Sequence, residues 1–277
     1  MARISVLMGI YNCAATLPEA LDSLYAQTYK DFQIIMCEDG SSDNTYEVAK
    51  DYASKYDNII LIQNECNKGL NYTLNRCLSL ADTELIARMD GDDISMPDRF
   101  EIEVKFLDEH PDFGVVSTPC TYFDENGIFR VNRGRGEVKR EHFIRRTPVS
   151  HAPCMARTEV FKKVGGYTVD DKLLRVEDYH LWFKIFSAGY KLCQMEESRY
   201  LVRDNRDAIA RRNWKTRRNE MYVKYIGYKM IGLSWYYLIY ALEPLIIYCL
   251  PLSIYRYLHQ HKGQSSIKQG RGKGTSN

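Results

Sequence analysis

Six consecutive residues, Arg88-Met89-Asp90-Gly91-Asp92-Asp93, carry the strongest chemical signal in the chain. Three carboxylates within four residues repel one another, and the apolar run before them marks the end of a buried strand. A fold accepts such a cluster where a cation compensates it. Oxygen-only ligands suit Mg²⁺ or Mn²⁺, which keep part of their water and share substrate phosphates. A solvated acidic turn before Pro97 is the alternative for the motif alone.

Other polar groups stand at comparable places. Gly9-Ile10-Tyr11-Asn12 ends the first apolar run, and Glu38-Asp39-Gly40-Ser41-Ser42-Asp43 ends the second. Asn67-Lys68-Gly69 follows the third. If these ends share one sheet edge, a nucleotide fits there. Tyr11 can pack on a base, Asp39 can accept from a base N–H, Asp90 can hold ribose and Asp92 the metal. Lys68 and Gly69 bring backbone and one cation. Singly, Asp39 and Asp43 read equally well as turn caps and Gly69 as a hinge.

The elements that must position these groups alternate. Strand-like Ile4-Met8, Phe32-Cys37, Ile59-Gln63 and Glu84-Met89 are separated by helix-period segments Thr16-Gln27, Asn44-Tyr56 and Leu70-Leu80. Continuous apolar strands joined by helices indicate a parallel sheet covered on both faces, with right-handed crossovers and ligands beyond the strands' carboxyl ends. After Pro97 come a helix at Asp98-Glu109, one strand over Gly114-Phe123, the loop Arg133-Gly134-Arg135-Gly136, a strand over Val149-Ala156, and a helix from Asp178 to Ala188. The expected division is a catalytic domain over 1–202, with its nucleotide half about 1–97 and acceptor half about 98–202. Basic and hydrophobic helices follow over 203–262, and a disordered tail over 263–277.

With 45 % apolar and 27 % charged residues, the chain has material for a substantial core and a soluble bulk. The eight cysteines are scattered without a Cys-x-x-Cys pair, which argues against a disulfide framework or zinc site and for a reducing compartment. The start enters a strand without a secretory apolar region, so the catalytic part is expected in the cytoplasm. The formal net charge is only +2, and no nucleic-acid partner is expected.

Taken together, Ser5 to Asn12, Glu38 to Thr45, Asn67-Lys68-Gly69 and Asp90-Gly91-Asp92-Asp93 resemble the family 2 glycosyltransferases, inverting enzymes of the GT-A fold. The resemblance runs from about Ile4 to Arg203, and its bacterial exopolysaccharide-biosynthesis branch is the most similar. It implies a Rossmann-like, mostly parallel sheet flanked by helices. It implies that Ile10, Tyr11, Asn12, Asp39, Lys68, Gly69, Asp90 and Gly91 serve the nucleotide, and that Asp92 ligates the metal. The family's Glu-Asp pair matches Glu177-Asp178, making Asp178 the general base that takes the acceptor hydroxyl's proton during one backside displacement. A helix N-terminus at Asp178 favours its ionised form. The plain alternative for this pair is a helix cap. His151 and Trp182 are candidates to line the acceptor site, His151 equally as a core or surface group and Trp182 more often as a core residue. The family's Tyr-Arg-x-His is not reproduced after Tyr200, which leaves Arg203 or Arg206 to supply a cation for the diphosphate.

From Leu233 to Tyr255 the chain is nearly free of charge and rich in tyrosine. About 23 helical residues would span a bilayer, at roughly 35 Å. Glu243-Pro244 and Pro251 oppose a span. Two short helices in the membrane interface, with the basic Arg211-Lys229 stretch toward anionic lipid, fit better. The expected partners are a nucleotide-sugar donor, a saccharide or lipid-linked saccharide acceptor, and the cytoplasmic face of the cell membrane. A sugar nucleotidyltransferase is disfavoured, because Gly9-Ile10-Tyr11-Asn12-Cys13 lacks a glycine-rich phosphate loop with a nearby cation. A transferase-like binding protein acting through its basic helices is the remaining alternative.

Overall fold

The computed structural model describes residues 2–204 and 213–249. Strands β1 (Ile4–Ile10), β2 (Phe32–Glu38), β3 (Ile59–Gln63) and β4 (Leu85–Arg88) alternate with helices α1 (Leu17–Tyr25), α2 (Thr45–Lys55) and α3 (Leu70–Leu80). Then come β5 (Ile94–Ser95), α4 (Arg99–Glu109), β6 (Phe113–Ser117), β7 (Cys120–Asp124), β8 (Gly127–Val131) and β9 (Gly136–Glu137). A 3₁₀ turn at Arg140–Phe143 leads to β10 (Cys154–Arg157), α5 (Thr158–Lys163) and α6 (Glu177–Ser187). The chain continues through β11 (Lys191–Gln194), β12 (Tyr200–Arg203), α7 (Trp214–Met230), a 3₁₀ helix Trp235–Leu242 and α8 (Glu243–Cys249).

The main sheet has the order β3-β2-β1-β4-β10-β6-β11-β9. Six of its eight strands run one way; β10 and β9 oppose them. The order reverses between β1 and β4, the switch point at which open sheets of this kind open a crevice. Both faces are buried, which explains the unbroken apolar strands. Ile4, Val6, Met8 and Ile10 pack with Leu17, Leu21 and Leu24 of α1 and Phe100 and Val104 of α4. Leu7, Ile35 and Cys37 pack with Leu74 and Cys77 of α3 and with the cluster around Trp182, Phe183 and Tyr228. Cys37, Cys77, Cys120, Cys154 and Cys193 are buried, packing as small hydrophobes.

Two segments depart from expectation. The strand over Gly114-Phe123 is two strands. Pro119 has no N–H for a ladder, so β6 stays in the main sheet and β7 crosses to a second sheet of order β5-β12-β7-β8. The strand over Val149-Ala156 shortens to β10, because Val149 to Pro153 form a loop facing the cavity described below. Glu243-Pro244 separates two short helices as expected, with the proline in the first turn of α8, where no hydrogen bond is lost. No helix among the described residues is long and apolar enough to cross a membrane. Arg206, Arg211, Arg212, Pro251, Tyr255 and the 263–277 tail lie outside the described residues.

Candidate active site

The β1 and β2 ends are locked together by their own polar groups. Asn12, at φ 49°, donates its N–H to Ser41 Oγ (3.0 Å) and accepts from the Ser42 N–H through Oδ1 (2.8 Å). Tyr11 projects from this edge with about half its surface exposed. Asp39, buried at the end of β2, accepts the N–H groups of Lys68 (2.8 Å) and Gly69 (2.9 Å) and the Asn64 amide (2.7 Å). Its carboxylate thus shapes the 64–69 loop and keeps room for about one further donor. Gly40 lies beneath that loop at φ 69°, where an added Cβ would stand 2.7 Å from the Asn67 nitrogen. Ile10 has its side chain buried against Gly91, and its carbonyl accepts the Asp39 N–H (3.0 Å).

Across the switch point, the acidic turn packs directly on β1's end. A Cβ on Gly91 would stand 2.8 Å from Cys13 Sγ, so only glycine lets the turn approach this closely. The three carboxylates then diverge. Asp90 is held by the buried Arg88 (Nη1 to Oδ1, 2.5 Å), and its N–H donates to Tyr200 Oη (3.1 Å). Asp93 is buried and accepts the Arg203 N–H (2.9 Å). Asp92 faces solvent and forms no ion pair among the described residues; partial burial and the neighbouring Asp90 charge raise its pKa. Behind the turn, Arg99 donates to the Arg88 carbonyl (3.2 Å), stacks on Tyr200 and lies near the buried Glu103. Arg203 braces this turn. Its Nε donates to the Asp92 carbonyl (3.1 Å) and its Nη2 to Glu19, so its charge is already engaged and it does not line the cavity.

No three His, Cys, Asp or Glu side chains converge as metal ligands among the described residues. The donor set that remains, one unpaired carboxylate beside another, fits a largely hydrated Mg²⁺ or Mn²⁺ completed by substrate oxygens. It does not fit a closed protein cage.

Asp90 and Arg88 open into a cavity of about 1020 Å³ that is also lined by Glu177, Asp178, His151 and Leu70. Leu70 follows Gly69, and so joins the cavity to the loop that Asp39 holds. Asp178 sits in the first turn of α6. Burial and the Glu177 charge push its pKa up to about 6, against the backbone N–H groups and Arg88. Desolvation therefore outweighs the helix terminus that was expected to favour ionisation. Glu177 is raised as well, chiefly by burial, and its Oε2 has no hydrogen-bond partner. His151 is held neutral by burial and the Arg88 charge, and its Nε2 meets Tyr167 Oη at 2.7 Å. Trp182 takes the core alternative: it is wholly buried beneath His151, with no surface to floor a sugar site.

Several contributors escaped sequence reasoning. Arg175 takes φ 70°, an uncommon backbone for a non-glycine residue, two residues before Glu177. Asn219 of α7 donates to the carbonyls of Asp171 and Leu174 (both 3.1 Å), clamping the loop that delivers Arg175 to Asp178. Arg130, Arg133, Arg135 and Arg146 line the same cavity. Only the Arg-Gly composition of residues 133–136 hinted at them.

The model of glycosyl transferase family 2 matches residues 5–165. EpsE of Bacillus subtilis (strain 168), itself described as a glycosyltransferase, is 37 % identical over 262 residues, 94 % of each chain. The UDP-Gal:alpha-D-GlcNAc-diphosphoundecaprenol beta-1,3-galactosyltransferase of Escherichia coli is 27 % identical over 266 residues, 93 % of this chain and 95 % of its own. The mannosyltransferase PcManGT of Pyrobaculum calidifontis, solved with GDP-Man and Mn²⁺, superposes with a TM-score of 0.59 at 20 % identity. The match covers 95 % of this chain and 80 % of that one, and supports the GT-A-like fold. The switch-point crevice, its acidic turn and a sequence match over more than half its length make this chain a member of glycosyl transferase family 2.

Proposed function

We propose that the chain is an inverting glycosyltransferase of exopolysaccharide assembly. It moves a sugar from a UDP-sugar to a hydroxyl of a lipid-linked saccharide at the cytoplasmic face of the membrane. The observation that carries the reading is the opening of Asp178 and Asp90 into one cavity beside the β1–β4 switch point. Tyr11 and Asp39 take the base, Asp90 takes ribose, and Lys68, on the loop that Asp39 holds, supplies a cation. Asp178 accepts the acceptor hydroxyl's proton while that oxygen bonds to the anomeric carbon and the bond to the diphosphate breaks. A carboxylate with a pKa near the working pH suits this transfer. Asp92 would hold the divalent cation, which offsets charge on the leaving diphosphate. The UDP-Gal donor and lipid-linked acceptor named for the Escherichia coli relative support this chemistry, and the Mn²⁺ solved with PcManGT supports a divalent cation.

The membrane assignment draws on surface composition. Trp235 is 82 % exposed, Ile239 68 % and Ile246 62 %, on two short helices that abut basic α7. Such a face lies in a lipid interface.

Titration with UDP, followed by transfer assays, tests the site. Asp178→Asn should bind UDP as the wild type does and lose transfer by about a hundredfold or more. Near wild-type turnover would remove Asp178 as base. In the same titration Asp92→Ala should weaken UDP binding only when Mn²⁺ is present; equal loss without Mn²⁺ would defeat the metal assignment.

A further inference from the structure

The cavity that holds the carboxylates has a second, basic wall with no role in the chemistry above. Arg130, Arg133, Arg135 and Arg146 come from β8, the loop before β9, and the segment after the 3₁₀ turn at Arg140–Phe143. None pairs with a carboxylate among the described residues. Arg135 and Arg146 are close enough to repel. Burial and then the Arg135 charge lower the Arg146 pKa, and both charges bear on His142. Arg130 stacks at 3.5 Å on Tyr122, and its buried Nε has no hydrogen-bond partner among the described residues. Four guanidinium groups that pair with no carboxylate among the described residues, on the wall of a cavity that also holds Glu177 and Asp178, suit an anion with several oxygens, since a planar fork matches phosphate bidentately.

The same wall is tied to the exposed apolar face. Arg140 donates to the Gly232 carbonyl (3.4 Å), Tyr228 Oη donates to the Ile144 carbonyl, and Arg145 stacks at 5.2 Å on Tyr240. The next helical stretch carries Trp235 and Ile239. Moving from Asp178 through Arg135 and Arg146 to this face, the surface changes from catalytic to anion-binding to apolar. An acceptor built as sugar, phosphate and lipid has its parts in that order.

We propose that Arg135 and Arg146, with Arg130 and Arg133 beside them, bind the phosphoryl anion linking the acceptor sugar to its lipid. This rests on the transferase reading but concerns the acceptor alone. Binding by intrinsic fluorescence tests it with three probes. They are an alkyl diphosphate ester of N-acetylglucosamine, octyl N-acetylglucosaminide without phosphate, and lipid-free N-acetylglucosamine 1-phosphate. Wild type should bind the diphosphate ester at least tenfold more tightly than the octyl glycoside. Arg135→Gln with Arg146→Gln should erase that preference, leave octyl glycoside and UDP binding unchanged, and be partly rescued by lysine at both positions. Equal affinity for the lipid-free phosphate would keep the anion site and assign it to soluble sugar phosphates. No preference in wild type, no loss in the glutamine variant, or a matching loss of UDP binding would overturn the proposal. Preference for the diphosphate ester in a protein that never binds UDP would instead defeat the transferase reading and leave this site standing.

Discussion

Asp178 shows how one carboxyl acquires its working range. Its neighbours divide: burial and Glu177 disfavour the charge, Arg88 and backbone N–H groups favour it, and the balance lies at about 6. A general base acts ionised, so activity should be full above that value and be lost as pH falls through it, about tenfold per unit. A kcat/KM profile that stays flat across this range would exclude Asp178. The motif residues were legible because each is polar at a strand end, where an apolar run stops for no packing reason. Arg88 was visible within the motif, but its pairing with Asp90 and its reach toward Asp178 were not, since both depend on burial by distant segments. The burial of the Ile10 and Trp182 side chains was not legible for the same reason. Being near a functional residue in sequence, or four residues on along a helix, leaves open which way a side chain faces.

Among the elements, α7 changes most between sequence and structure. Its basic composition suggested a lipid-facing helix. It buries Val223, Lys224, Gly227 and Tyr228, and Phe183 of α6 packs onto Gly227 so closely that an added Cβ would stand 2.3 Å away. Through Asn219 it also fixes the loop that presents the base. Asn219→Ala should therefore cost about 1–3 kcal/mol of stability. It should also lower kcat while leaving UDP affinity alone, as read by thermal melts and steady-state kinetics. Unchanged kcat would mean that the loop holds Asp178 without this clamp. The strand break at Thr118–Pro119 was written in the sequence, because proline cannot continue a central ladder. Only the second sheet, completed by β12 from far along the chain, explains where β7 goes.

At the scale of the molecule, an open polar edge lies on one side and an apolar face on another, joined by the basic wall of the cavity. If the apolar face lies in a lipid interface, Trp235→Ala with Ile239→Glu should lower partition onto anionic vesicles at least tenfold in co-sedimentation, because each exposed large side chain contributes apolar area. Retained binding would place the membrane contact elsewhere. Both residues are exposed, so the fold should tolerate the change.

Local sequence alone determined the strand–helix alternation, the parallel first half, the acidic turn and the break at Glu243-Pro244. Each follows from apolar period, turn chemistry or proline geometry within a few residues. Tertiary structure alone decided which carboxylates stay free and which are held by Arg88 or by backbone. It also raised the pKa of Asp178 and gathered four arginines into one cavity wall. Burial and long-range charge set those outcomes, and neither exists until segments far apart in the chain have packed together.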